Sequence, residues 1–118
     1  MRLEPGELAR QAAEVAVAKK GQHPVVLDMR AVTLVADYFV IISAPTALQV
    51  RAISEAIEEK LKAQGVSVRH REGYDLSRWI LLDYGAVIVH VFNEVERAFY
   101  NLERLWGDAE VVPLEAAR

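Results

Sequence analysis

The sequence contains no cysteine. Disulfides, thiolate nucleophiles and cysteine-ligated zinc or iron–sulfur sites are therefore excluded. It also lacks a basic excess, since 14 basic and 17 acidic residues leave a net charge of −3. Nucleic-acid binding by bulk charge needs a concentrated basic face, so direct, sequence-specific nucleic-acid contact is not expected. A mildly acidic domain is steered instead towards basic proteins. Long apolar runs are missing too. Stretches such as 38–42 and 86–89 fall far short of the ~20 residues of a membrane span. The start, MRLEPGELARQ, has no apolar h-region, and the expectation is a cytoplasmic protein without a signal peptide or membrane contact. The six glycines, at 6, 21, 65, 73, 85 and 107, never cluster. Neither the dinucleotide fingerprint nor the Walker A loop is present.

What is present is ordinary globular material. The chain has 118 residues and is 53% apolar, enough for one hydrophobic core without metal or disulfide staples. No repeat, linker or low-complexity segment divides it, so residues 1–118 are expected to form one domain.

Leu8, Ala12, Val15 and Ala16 recur at helical spacing, with Pro5 suited to a first turn and Gly21 to an end. This predicts a helix over 5–20 with a narrow alanine stripe, docked but not deeply buried. Pro24 breaks the chain, and the β-branched segment 25–28 predicts a strand. Residues 30–37 read as a connection. YFVIIS, 38–43, is continuously apolar, as in a central strand covered on both faces. Thr46 suits an N-cap, Val50, Ile53, Ile57 and Leu61 line one helical face, and Gly65 closes that helix. A weak strand over 66–71 and a turn over 72–78 follow. Residues 79–83 and 86–92 predict a hairpin around Tyr84-Gly85. Val95, Phe99, Leu102 and Trp106 then predict one last helix with a buried stripe. The tail, 110–118, is expected to fray, with Val111 and Val112 the residues able to dock. The fold class is α/β, a mixed sheet of about five strands with helices packed on it, in the order α-β-β-α-β-β-β-α.

Catalytic chemistry finds little support. Nucleotidyl transfer needs clustered carboxylates holding magnesium. Asp28, Asp37 and Asp83 sit on or beside strands, yet no acidic pair at i, i+2 lies beside a glycine-serine loop. The loop Ser43-Ala44-Pro45-Thr46 joins a strand to a helix, but has no glycine to admit a phosphate. His90, inside VIVHVF, has the setting of a hydrogen-bonded core or interface residue. The serines show no nucleophile elbow. No catalytic residue, metal site or cofactor is assigned. A nucleotide-binding enzyme is the alternative reading.

A series of motifs gives the chain its identity. EG at 72–73, WILLDYG at 79–85, VIVHVF at 87–92 and FYNLERLW at 99–106 follow DYFVIIS at 37–43 and QVRAI at 49–53. In this order they resemble the ribosomal silencing factor family, also called Iojap-like, from about Leu8 to Ala109. The resemblance implies a nucleotidyltransferase-like core without its catalytic residues. It implies binding to the large ribosomal subunit on large-subunit ribosomal protein fourteen, blocking small-subunit joining and lowering translation when nutrients are short. It also implies that a homodimer can form when the protein is free. The chain departs from the family's pattern at Gly85-Ala86, where Gly-Asp is common, and at Ala44-Pro45-Thr46-Ala47.

Strand alternation puts Trp79, Leu81 and Asp83 on one face, and Ile80, Leu82 and Tyr84 on the other. An aromatic, an aliphatic and an acidic residue together have the composition of an interface centre. With the resemblance, Trp79, Leu81 and Asp83 are expected to contact the ribosomal protein, with Glu72 and Tyr84 at the rim. Tyr100 and Arg104 lie off the last helix's stripe and are further contact candidates.

Overall fold

The spacing of apolar side chains decides which surface each element buries, and the computed structural model shows where those surfaces meet. It describes residues 3–114. The elements run α1 (Pro5–Ala18), β1 (Gln22–Asp28), β2 (Tyr38–Ala44), α2 (Ala47–Ala63), β3 (His70–Glu72), β4 (Trp79–Asp83), β5 (Val87–Asn93), α3 (Glu94–Tyr100), α4 (Leu102–Leu105) and β6 (Glu110–Val111). The strands form one mixed six-stranded sheet in the order β3-β4-β5-β2-β1-β6. β2 and β5 run parallel at its centre, and the other pairings are antiparallel. No helix of the described residues is long and apolar enough to cross a membrane.

Both faces of the centre are apolar, as the uninterrupted YFVIIS requires. On one face Val26, Val40, Ile42, Ile80, Leu82, Val87, Val89 and Val91 pack under α1 and α2. α2 starts at Thr46, whose side chain accepts the Gln49 N–H, and the chain leaves it through Gly65 at φ +85°. Its stripe, Val50, Ile53, Ile57 and Leu61, is wholly buried. α1 is buried more deeply than its composition suggests. Ala9, Ala12, Ala13 and Ala16 have no exposed surface, because side chains this small let the helix backbone settle close against sheet and α2.

The other face is covered unevenly. Leu27, Met29, Ala36, Phe39, Ile41, Phe92 and Leu102 form a second, smaller core beneath the 29–37 connection and α4, with Trp106 packed beside it. Beyond it, among the described residues, the β3–β4 side of this face is left partly open, with Leu81 and Asp83 half-buried and His70–Glu72 exposed.

Four expectations are corrected. The chain does not break at Pro24, which lies inside β1 where the register shifts between Gln22 and Val25 and His23 takes φ +51°. A bulge admits proline because one ladder position is already unpaired. The strand expected over 66–71 is only His70–Glu72. The last helix is not continuous, because Asn101 adopts φ +47° and splits it. Asparagine tolerates that conformation better than most residues, and the break turns Leu102 into the core while leaving Val95 and Phe99 exposed. Finally, the tail does not fray from residue 110, and the docking expected of Val111 and Val112 is found. Glu110 and Val111 pair with Asp28 and Leu27, and the Val112 N–H donates to Val26 O at 2.8 Å. The rest of that expectation, 115–118, lies outside the described residues.

Candidate interaction face

The partly open face is assembled by strand register. Trp79 lies opposite Phe92, Leu81 opposite His90, and Asp83 opposite Ile88. Across β3, Glu72 lies opposite Leu81 and His70 opposite Asp83. Side chains of such pairs share a face, so Glu72, Leu81 and His90 form one row, and His70, Asp83 and Ile88 the next. Leu81, Asp83 and Ile88 are half-buried, and Glu72 and His70 are exposed. His70 Nε2 and Glu72 Oε2 are 2.8 Å apart. Asp83 Oδ1 accepts the Gly85 N–H at 2.7 Å, which fastens the hairpin turn.

Trp79 is the largest group on this face. Its indole stacks on Phe92 with ring centroids 4.8 Å apart, and Tyr100 lies against it at 4.8 Å. The indole N–H donates to His90 Nδ1 at 3.1 Å. Trp79 is half-buried, while Tyr100 keeps 46% of its surface exposed. Arg97 holds α3, and with it Tyr100, against the sheet. One guanidinium nitrogen reaches Ser43 Oγ at 3.1 Å and Gln22 O at 3.2 Å, and the other pairs with Glu103 at 2.9 Å.

The structure thus brings together Trp79, Leu81, Asp83, Glu72 and Tyr100. Tyr84 is elsewhere. It is 8% exposed, faces the α1–α2 core, and its hydroxyl has no hydrogen-bond partner. Burial pushes that hydroxyl's pKa well above its ordinary value. The rim position expected for it conflicts with the alternation that puts it beside Ile80 and Leu82. Arg104 is exposed on α4. Sequence reasoning missed Phe99, which is 78% exposed beside Tyr100 with ring centroids 5.1 Å apart. It also missed His90 as the partner of Trp79. The signal available was the hairpin itself, since His90 and Phe92 are the cross-strand neighbours of Leu81 and Trp79.

The carboxylates do not assemble a metal-binding cluster. Asp28 and Asp83 point from opposite faces of the sheet, and Asp28 pairs with Arg30 at 2.7 Å. Among the described residues, no three histidine or acidic side chains are placed to hold a metal ion. The 43–46 loop is a capped turn, with Gln49 N–H on Thr46 Oγ1 at 3.2 Å. At the Gly85-Ala86 departure it is backbone that works, since Ala86 O accepts the N–H groups of Asp37 and Tyr38 at 2.7 and 3.1 Å.

Fold and face together define a small α/β domain with an aromatic-centred, partly open sheet face. The model of the family described as "Ribosomal silencing factor during starvation" matches residues 3–118. The chain is 43% identical over 109 residues to a ribosomal silencing factor of Halalkalibacterium halodurans, covering 92% of this chain and 93% of that one. It is also 43% identical over 104 residues to that of Bacillus subtilis, covering 88% of each. A crystal structure of a Chromobacterium violaceum protein superposes with a TM-score of 0.86 at 31% identity, covering 89% and 88% of the two chains. The chain belongs to the ribosomal silencing factor family. Relatives in this family are named as silencing factors rather than as enzymes.

Proposed function

We propose that this chain represses translation by binding the large ribosomal subunit through large-subunit ribosomal protein fourteen and sterically blocking the small subunit, as nutrients run short. It acts in the cytoplasm and transfers no group. Family membership supports the ribosome as the partner. The observation that carries the choice of surface is Trp79, already packed against Phe92 and Tyr100 beside half-buried Leu81 and Asp83 and exposed Glu72. A rigid aromatic that loses little freedom on binding is the kind of residue that dominates interface energetics. Glu72 and Asp83 contribute orientation and on-rate towards a basic partner. Free protein pairs with a second copy through the same face, and the ribosome displaces that copy.

Co-sedimentation with separated subunits tests this reading. Wild-type protein should pellet with large subunits and not with small ones. A folded Trp79→Ala variant should lose about 2 kcal/mol or more, roughly 30-fold in affinity. Undiminished binding by that variant would remove Trp79 from the interface. A dimer persisting on the ribosome would remove the competition.

A further inference from the structure

His90 sits under the proposed contact surface and contributes little to it directly. It is 4% exposed, enclosed by Phe39, Trp79 and Phe92 at centroid distances of 4.7, 5.8 and 6.1 Å. Leucine or phenylalanine would suit so apolar a place without a polar atom to satisfy. Histidine supplies one thing those residues cannot, an acceptor for the Trp79 N–H. An accepting Nδ1 requires the neutral ring with its proton on Nε2. That Nε2 is buried and has no hydrogen-bond partner, so the ring carries an unmet donor in exchange for one contact to Trp79. Burial pushes the His90 pKa down to about 4, which keeps Nδ1 unprotonated near neutrality.

Stacking on Phe92 and a tilted contact with Tyr100 leave the indole's in-plane orientation open, whereas a hydrogen bond at one edge fixes it. We propose that His90 is a positioning residue for the partner-binding face, its Nδ1 locking the Trp79 indole in the orientation that the partner meets. This rests on the reading of Trp79 as the contact anchor. Without the lock, the partner has to order the ring during binding, and affinity falls accordingly.

The test separates acceptor from shape. Asn Oδ1 falls near the place of His Nδ1, so His90→Asn keeps the acceptor, while His90→Leu keeps bulk and loses it. Indole N–H resonances are assigned with Trp106→Phe, which leaves only Trp79. Wild type and His90→Asn should show one downfield, exchange-protected Trp79 signal. His90→Leu should lose the protection while its circular dichroism stays native. In co-sedimentation with large subunits, His90→Leu should bind about fivefold or more weakly, and His90→Asn should recover to within about twofold of wild type.

If Trp79→Ala binds normally, the reading of the face is wrong. If Trp79→Ala loses binding while His90→Leu keeps it despite an altered indole signal, the positioning role is overturned. Should His90→Leu fail to fold, the wild-type imidazole decides. Long-range nitrogen correlations must show the proton on Nε2, and a proton on Nδ1 rules the lock out.

Discussion

His90 makes the stability of this domain depend on pH below the ring's ordinary value. Its ordinary value of 6.5 falls to about 4 in the folded chain, because burial penalises the charged ring. Above the unfolded value both states are neutral and the full stability is present. As pH falls from 6.5 towards 4, the unfolded chain takes up a proton that the native state refuses, so stability drops. The loss approaches about 1.4 kcal/mol per pH unit, reaching about 2 kcal/mol by pH 5 and about 3 kcal/mol in full. Below about pH 4 this contribution flattens. Asp28, held low by its hydrogen bonds from Arg30, and Glu7, held low by those from Arg10, act later. Their stabilisation persists above their ordinary values of 3.8 and 4.5 and is lost only as pH falls below them. Urea unfolding at pH 7, 6 and 5 measures the effect, with His90→Asn as the reference. The wild-type free energy should fall by about 2 kcal/mol more than the variant's between pH 7 and 5. Parallel pH profiles for the two proteins would refute the assignment of a buried neutral His90.

Other substitutions probe the remaining parts. Tyr84→Phe removes a buried hydroxyl with no partner, so denaturant unfolding should show no loss and a gain of up to about 1 kcal/mol; subunit binding should not change. Gly73→Ala should destabilise by about 2 kcal/mol or more, because Gly73 has φ +82° and an added Cβ would lie 2.0 Å from Trp79 O. Thermal melts would detect it, and a melt like wild type would contradict the geometry. Thr46→Ala removes the acceptor for the Gln49 N–H and should cost about 1 kcal/mol in the same assay.

Local rules carried much of the architecture. The spacing of Val50, Ile53, Ile57 and Leu61 between a cap and a glycine defines α2 within a residue or two, since helix periodicity and end signals are written in adjacent residues. YFVIIS marks a strand covered on both sides, and the turn at Tyr84-Gly85 gives the hairpin. The same alternation puts Trp79, Leu81 and Asp83 on one face, and the motif series gives the family. Long-range packing decided the rest. Two-residue β6 has no periodicity to read, and exists because β1 offers it an edge. Asn101 breaks the last helix because Leu102 is drawn into the core between sheet and connection, a constraint absent from the local pattern. The alanine stripe of α1 looks weakly apolar in sequence, yet its small size lets the helix pack with Ala9, Ala12, Ala13 and Ala16 fully buried. Tyr84 is buried because the hairpin turns it towards α2. Trp79 is neither core nor free surface, and its pairing with His90 depends on a cross-strand register that residue order alone does not fix. Sequence thus determines which residues are apolar and at what period. Only the tertiary fold decides which of them remain in reach of a partner.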